Sequence, residues 1–104
     1  MADVERRTGE EVVERTSQKT QEPTLFKVVL HNDDYTTMDF VVEILESVFQ
    51  KSPAEAYGIM MAVHRQGRGI CGLYPHEIAE TKVATVHEIA RDRGFPLRAS
   101  VEEE

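Results

Sequence analysis

The spacing of apolar side chains along the chain predicts alternating strands and helices. Residues 25–31 are rich in apolar and β-branched side chains and predict a strand. The polar run Asn-Asp-Asp-Tyr-Thr-Thr at 32–37 predicts a turn, in which Thr36 or Thr37 can cap a following helix. We predict that helix over 38–50, because its apolar residues repeat with a helical period. They are Phe40, Val41, Ile44, Leu45, Val48 and Phe49.

The second half of the pattern contains two more helices and two more strands. Ser-Pro-Ala-Glu at 52–55 predicts a helix start, because it combines a capping box with a proline in the first turn. Gly67 suits the C-terminal cap of that helix. A strand at 69–74, a helix at about 76–93 and an alternating strand at 97–101 follow. The order β-α-α-β-α-β predicts an α+β open sandwich, in which three helices pack on one face of a three-stranded sheet.

The two ends of the chain differ in composition from the segment between them. Residues 1–22 are highly charged and lack aromatic side chains, so burial could not offset the entropy of ordering them. Pro23 precedes the first apolar run, and the last three residues are all glutamate. We therefore predict a disordered N-terminal arm at 1–23, a folded domain at 24–101 and an acidic tail at 102–104.

Composition excludes several classes of protein. The formal net charge of −7 argues against nucleic-acid binding, which needs a basic surface. No apolar run is long enough to span a bilayer, and the N-terminus lacks the apolar stretch of a signal peptide. The single cysteine, Cys71, excludes an internal disulfide and a paired-cysteine zinc site. We expect a cytoplasmic monomer that contacts neither membrane nor nucleic acid and holds no metal or cofactor.

Three motifs approach known chemical sites but lack an essential part of each. Gly-Arg-Gly-Ile-Cys-Gly at 67–72 matches a dinucleotide-binding fingerprint, yet it follows a predicted helix and enters a strand, the reverse of the required context. The His-Glu pairs at 76–77 and 87–88 have no second histidine one turn later, so neither forms a zinc-binding helix face. Cys71 has no neighbouring base and is expected to be a buried core thiol. We therefore predict no catalytic residue.

One group of polar residues remains, formed by Asn32, Asp33 and Asp34 after the first strand and His64 on the second helix. Such residues ordinarily form a turn or face solvent. Brought together, the carboxylates and the imidazole could bind a metal ion. Alternatively, carboxylate, amide oxygen and neutral imidazole are all acceptors, which suits an ammonium group with an apolar side chain attached. The apolar residues nearby are Met38, Val41, Met60 and Val63.

Five segments carry a family resemblance. They are V-V-L-H-N-D-D-Y-T-T-M-D-F-V at 28–41, M-M-A-V-H at 60–64, G-R-G-I-C-G-L-Y at 67–74, E-I-A-E-T-K-V at 77–83 and G-F-P-L at 94–97. In this order and spacing they resemble ClpS, the family of adaptors that bring N-degron substrates to the Clp AAA+ protease.

The resemblance covers about residues 24–101 and implies a non-enzymatic adaptor. Such an adaptor binds proteins with a destabilising N-terminal Leu, Phe, Tyr or Trp and delivers them to a Clp AAA+ unfoldase–protease. The implied partner is the N-terminal domain of a ClpA-type unfoldase, and the arm before the domain is implied to serve in delivery. One departure is Thr37, where the family usually has proline, and we expect it to loosen the turn.

The resemblance also implies roles for individual residues. Asn32, Asp34 and His64 match the positions that hold the substrate's free α-amino group. Glu77 and Lys82 match positions that dock on the unfoldase. The remaining matches form the pocket for the substrate's first side chain. They are Leu30, Thr36, Met38, Val41, Met60, Val63 and Leu97.

Two other functions remain open on the sequence. One is a small metal-dependent enzyme that uses His31, Asp33, Asp34 and His64, and it predicts bound metal. The other is a regulator of the Clp unfoldase that docks on it without recognising N-termini. This second function predicts that Asp34 can be replaced without loss of any activity.

Overall fold

The computed structural model describes residues 23–104, so the arm predicted at the N-terminus lies outside the described residues. Within those residues, none of the helices is both long and apolar enough to cross a membrane. The elements are β1 (Leu25–His31), α1 (Met38–Ser47), α2 (Pro53–Gln66), β2 (Arg68–Pro75), α3 (His76–Arg93) and β3 (Arg98–Glu103). This order confirms the predicted β-α-α-β-α-β sandwich.

The sheet is antiparallel, with β1 in the centre between β2 and β3. Because side chains alternate along a strand, Val28 and Leu30 of β1 face the helices, and both are fully buried. All six residues of the apolar stripe predicted for the first helix are buried as well. The core therefore lies between the helices and one face of the sheet, as the sequence pattern predicts.

Local signals in the sequence place the ends of α2 and α3 correctly. At the start of α2, Glu55 N–H donates to Ser52 Oγ at 3.2 Å, and Ser52 N–H donates to the Glu55 carboxylate at 3.1 Å. This is the predicted capping box. Gly67 and Gly94 end the two helices in the left-handed conformation, with φ of 92° and 80°. Gly67 is thus a helix cap, which explains the glycine motif without a nucleotide.

The first helix ends earlier than predicted, at Ser47 rather than at residue 50. Val48 is its C-cap and still donates to Ile44 O, after which Gln50 takes a left-handed φ of 52°. The apolar pattern continues past the helix end because the two residues that follow Ser47 are buried in the core. The buried apolar residues therefore extend two positions beyond Ser47, the last residue of the helix.

The C-terminus also differs from the prediction, which ended the last strand at residue 101 and treated 102–104 as a tail. The strand instead continues through Glu103 and pairs with β1. Glu102 accepts a hydrogen bond from the Arg68 guanidinium at 2.5 Å, across the central strand. Pairing and this ion contact hold the glutamates in the sheet, and only the final residue lies beyond the strand.

Cys71 lies at an irregularity in the sheet. The pairing register between β1 and β2 shifts between Val28 and Val29, and the extra residue on β2 at this point is Cys71. Its side chain is fully buried, and burial raises the pKa of the thiol to about 12. A thiol in that state is protonated and sealed from solvent, which confirms the prediction of a core residue.

Candidate ligand-binding site

A cavity of about 290 Å³ opens between the β1–α1 loop and helix α2. Its lining combines polar side chains, most of them from the loop, with apolar side chains from helices α1 and α2. The lining residues are Asn32, Asp33, Asp34, Thr36, Met38, Val41, Met60, Val63 and His64. The structure therefore brings together all three residues expected to hold an α-amino group and five of the seven expected to form the side-chain pocket.

One backbone hydrogen bond joins the two segments that carry the polar groups. Asn32 N–H donates to Gly67 O at 2.9 Å, so the end of β1 is held against the C-terminal cap of α2. Because His64 lies one turn before that cap, its imidazole comes to the same cavity as Asp34. This long-range contact explains why residues distant in sequence share one site.

Asp33 organises the loop that carries these polar groups. Its carboxylate accepts from Tyr35 N–H at 2.8 Å, from Thr36 N–H at 2.7 Å and from Thr36 Oγ at 2.7 Å. Burial acts to raise the pKa of Asp33, but the hydrogen bonds from Thr36 and Tyr35 outweigh it and hold the pKa below its ordinary value. The carboxylate of Asp33 is thus used within the loop, which leaves that of Asp34 for a ligand.

Replacing Asp33 with alanine is expected to lower the free energy of unfolding by about 1–2 kcal/mol, since three hydrogen bonds are lost together. Because the folded-state pKa is lowered, this contribution is present above the ordinary carboxyl pKa and disappears as the pH falls through the lowered value. Denaturant unfolding at neutral pH and below about pH 3 measures both effects. A difference between wild type and variant that stays constant with pH would contradict this role for Asp33.

Helix α1 begins directly beside the cavity. Thr37 is its N-cap and accepts a hydrogen bond from Phe40 N–H at 3.1 Å, which confirms the predicted cap. The Thr37 hydroxyl thereby stabilises the helix start, and the expectation that the turn is looser than one with proline stays a prediction. Met38 follows as the first helical residue and is 43% exposed at the mouth of the cavity.

The apolar wall from α2 depends on a glycine in the neighbouring strand. A methyl group at Gly69 would lie 2.8 Å from Val63 Cγ2 and 3.1 Å from Ile59 O. The lack of a side chain there lets α2 approach the sheet closely. This approach holds Val63, one of the residues that line the cavity, close to the strand.

The structure does not place Leu30 or Leu97 in the lining of this cavity. Leu30 is fully buried on the core face of the central strand, and Leu97 is 3% exposed within the same core. Both face the interior because strand alternation and the tight Gly94–Leu97 connection direct them inward. Their predicted place in the pocket is therefore not reproduced.

His31, which the metal-enzyme alternative required, does not line the cavity either. Its Nε2 lies 2.7 Å from Ser100 Oγ on the neighbouring strand. Among residues 23–104, no group of three or more His, Cys, Asp and Glu side chains is placed to hold a metal ion. The residues named by the metal-enzyme alternative are therefore not grouped as a metal site in this part of the chain.

A second, larger groove of about 520 Å³ lies between the end of α1 and helix α3. It includes both residues that the resemblance assigns to unfoldase docking, Glu77 and Lys82. Its lining residues are Ser47, Val48, Glu77, Ile78, Thr81, Lys82, Thr85 and Ile89. Ile78 is 48% exposed, so the groove presents apolar surface between these two charges.

Lys82 also supports the end of helix α1. Its ammonium donates to Val48 O at 2.7 Å and lies 5.8 Å and 5.4 Å from the ring centres of Phe49 and Tyr74. Sequence reasoning missed this role, because it joins residues more than thirty positions apart. The side chain satisfies a helix-terminal carbonyl and packs against two aromatic rings.

Replacing Lys82 with methionine is expected to cost about 1–2 kcal/mol of folding free energy, because the carbonyl of Val48 loses a charged donor. Lys51→Met removes the same charge elsewhere and is the matched control, expected to change stability by less than about 0.5 kcal/mol. Denaturant unfolding compares the two variants. Equal stability of both variants would show that the contacts of Lys82 do not support the fold.

The fold and the cavity define a small binding protein of the α+β class, suited to a ligand that carries both an ammonium group and an apolar side chain. The family described as ATP-dependent Clp protease adaptor protein ClpS matches residues 21–100. The chain therefore belongs to the ClpS family, whose members are adaptors and not enzymes.

Relatives of the chain agree with this assignment. An ATP-dependent Clp protease adapter protein ClpS from Desulforapulum autotrophicum is 55% identical over 97 residues, covering 89% of this chain and 93% of the relative. A ClpS from Oleidesulfovibrio alaskensis is 52% identical over 103 residues, covering 99% of each chain. The solved structure of Agrobacterium tumefaciens ClpS2 bound to L-phenylalaninamide has a TM-score of 0.76 and 38% identity, and covers 80% of this chain and 100% of that one.

Proposed function

We propose that this adaptor binds proteins with an N-terminal Leu, Phe, Tyr or Trp in the 290 Å³ cavity and delivers them to a Clp unfoldase–protease. The observation that carries the proposal is that one cavity is lined both by acceptor residues, here called the acceptor side, and by apolar residues, here called the apolar side. The bound state of the similar ClpS2 structure supports it, because L-phenylalaninamide joins a free α-amino group to an aromatic side chain.

The acceptor side fits the α-amino group. An ammonium carries three N–H donors, and the cavity offers the Asn32 amide oxygen, the Asp34 carboxylate and the His64 imidazole. All three residues are exposed, so they are open to a ligand. Each charge-assisted hydrogen bond contributes about 1.5–3 kcal/mol.

The apolar side fits the first side chain of the substrate. Val41, Met60 and Val63 form a wall, and Met38 stands exposed at the entrance. Burying a Leu or Phe side chain contributes about 1.5–3 kcal/mol. After several kcal/mol are subtracted for association, the affinity is on the order of micromolar, which suits an adaptor that must release its cargo.

Acetylation of the substrate N-terminus is expected to abolish binding, because it removes the charge and two donors and leaves Asp34 desolvated without a partner. Two fluorescent peptides that begin with Leu, one free and one acetylated, are titrated with the protein in an anisotropy experiment. Micromolar binding of the free peptide alone is the expected result. Equal affinity for both peptides, or no binding of either, would contradict N-terminal recognition.

Docking on the unfoldase is the second part of the proposal. We infer that the groove at Glu77 and Lys82 contacts the N-terminal domain of a ClpA-type unfoldase in the cytoplasm, and that the arm at 1–23 serves in delivery from the domain at 24–101. The exposed apolar surface between the two charges supports a protein contact here. Glu77→Gln should weaken binding to that isolated unfoldase domain while leaving peptide affinity unchanged.

The alternative function, a regulator that docks without recognising N-termini, differs in one measurable respect. A regulator of this kind does not bind a peptide with a free N-terminal Leu in the absence of the unfoldase, whereas the adaptor must bind it.

Removing residues 1–15 is expected to leave peptide affinity intact and to abolish degradation of a substrate with an N-terminal Leu by the unfoldase–protease. Unchanged degradation would show that the arm is not needed for delivery.

A further inference from the structure

Among residues 23–104, all three helices pack on one face of the sheet, so the other face is open. Strand alternation places Leu25 and Val29 of β1 on this face, together with Ile70, which pairs with Val29, and Leu73, which pairs with Lys27. Leu25 is 37% exposed, Leu73 42% and Ile70 49%, whereas Val29 is buried. These four residues form an apolar band along β1 and β2. We call the surface that carries the band the open face.

The apolar band is separate from the two sites described above. Met38 and Ile78 are exposed as well, but Met38 lines the substrate cavity and Ile78 lines the groove at α3. The band lines neither of these cavities. An exposed group of large apolar side chains on a sheet indicates a surface that contacts another polypeptide segment.

Positive charge surrounds the apolar band. Lys27 pairs with Glu102 in the sheet, and His31 pairs with Arg68 on one side and Arg98 on the other, so all five side chains share the open face. The hydrogen bond from Arg68 keeps the pKa of Glu102 below its ordinary value, with further contributions from the charges of Lys27 and His31. Within residues 23–104, Lys27 and Arg98 form no ion pair. The open face therefore carries a surplus of positive charge in a chain whose net charge is −7.

The N-terminal arm contains a segment with the complementary pattern. The sequence Glu-Glu-Val-Val-Glu at 10–14 places two apolar side chains between three carboxylates. Val12 and Val13 suit the apolar band, and the carboxylates suit the ammonium and guanidinium groups beside it. A second copy of the folded domain fits less well, because it would bring two surfaces with the same sign of charge together.

The arm joins the domain at one end of the open face. Strand β1 begins at Leu25, two residues after Pro23, and the open face follows this strand for about 20 Å. Residues 15–22 separate the segment at 10–14 from Pro23, and eight extended residues span about 26 Å, so the segment can reach the whole face. A short flexible tether gives an effective concentration on the order of millimolar. A contact with a dissociation constant of that order is therefore about half formed within one chain.

We propose that residues 10–14 dock reversibly on the open face of the same chain, with the two valines on the apolar band and the three glutamates against the basic side chains. The contact holds the arm on the side of the sheet opposite the helices, away from the groove at Glu77 and Lys82, so that delivery requires its release. The inference is independent of N-terminal recognition, because no residue of the substrate cavity takes part in the contact.

The test uses the full chain with a nitroxide spin label attached through Thr8→Cys, next to the docking segment. Cys71 is buried and does not take the label. The nitroxide broadens NMR signals of isotope-labelled methyl groups that come near it. At low salt, the methyl signals of Ile70 and Leu73 are expected to lose about threefold in intensity and to recover at high salt. Ile78 is the matched control, because it is 48% exposed on the helix side, and its signal should keep its intensity.

Two sets of charge variants identify the contact. The triple variant Glu10→Gln, Glu11→Gln, Glu14→Gln should restore the signals of the open face, and so should the double variant Lys27→Gln, Arg98→Gln. The double variant Arg65→Gln, Arg91→Gln removes two positive charges from exposed positions on α2 and α3, and it should leave the broadening unchanged.

Each of the other outcomes overturns the inference. Full intensity at Ile70 and Leu73 in the labelled chain, equal broadening at Ile78, or broadening that persists in the first two variants would show that the segment does not dock on the open face. Equal broadening in a mixture of spin-labelled chains without isotopes and isotope-labelled chains without the spin label would show that the arm of a second copy occupies the face. Peptide binding in the cavity is unaffected by any of these results, so the proposed function is tested separately.

Discussion

Replacing Asp34 with asparagine is expected to weaken binding of a peptide with a free N-terminal Leu by about a hundredfold. Asp34 brings the one carboxylate of the cavity that is not used within the loop, because Asp33 is occupied by Tyr35 and Thr36. Without it, the ammonium enters a partly enclosed cavity with no opposite charge. An amide is close in shape to a carboxylate, so the substitution removes charge with little change in packing.

Asp39→Asn is the matched control for this experiment. Asp39 lies in the first turn of α1, is exposed and does not line the cavity, yet its replacement changes the net charge by the same amount. We expect less than about a twofold change in affinity for this variant, since exposed charges beyond contact distance are screened by salt. Similar losses in both variants would show that the overall charge of the surface, rather than a contact with Asp34, attracts the peptide.

Leu30→Ala is expected to lower the free energy of unfolding by about 2–5 kcal/mol. Leu30 is fully buried on the core face of the central strand, where its side chain packs within the main hydrophobic cluster. Truncation leaves a cavity that the surrounding strands and helices cannot fill. Denaturant unfolding measures the loss, and Leu30→Met, with a cost below about 1.5 kcal/mol, provides a second variant that stays folded.

The same experiment separates two roles for Leu30. The family resemblance places it in the side-chain pocket, whereas the structure places it in the core. If the core role holds, the folded fraction of Leu30→Met binds Leu and Phe peptides with wild-type affinity. Met38→Ala should show the opposite pattern, because Met38 is exposed at the mouth of the cavity. We expect its free energy of unfolding to change by less than about 1 kcal/mol and its affinity for these peptides to fall. Altered peptide preference in Leu30→Met with unchanged stability would return Leu30 to the pocket.

The predicted and observed ends of the helices and of the last strand show which sequence signals are local. The span predicted for the third helix, 76–93, is the observed one, since Pro75 precedes it and Gly94 ends it in a left-handed conformation. The predicted first helix runs three residues too far, because apolar periodicity reports burial and not hydrogen bonding. The acidic end was misjudged for a similar reason. Glu102 is hydrophilic in the sequence, but Arg68 holds it in the sheet.

The residue types of the candidate site could be predicted from the sequence, but the full set of residues that line its cavity could not. Acceptors at the end of a strand and a histidine on a helix left two ligands open in the sequence, a metal ion and an ammonium group, and the structure brings these residues to one cavity. The positions of Leu30 and Leu97 and the support that Lys82 gives to helix α1 depend on neighbours far away in the chain. Pattern analysis of short segments contains no information about those neighbours.

The sequence by itself determined the order of elements and the caps at Ser52, Gly67 and Gly94. Each of these depends on interactions within a few residues, where side-chain type and spacing suffice. Only the tertiary structure decided which apolar residues line a cavity and that Asp33 supports the loop while Asp34 remains open. The physical reason is that burial and hydrogen-bond partnership are properties of the packed chain, since they require segments distant in sequence to occupy the same space.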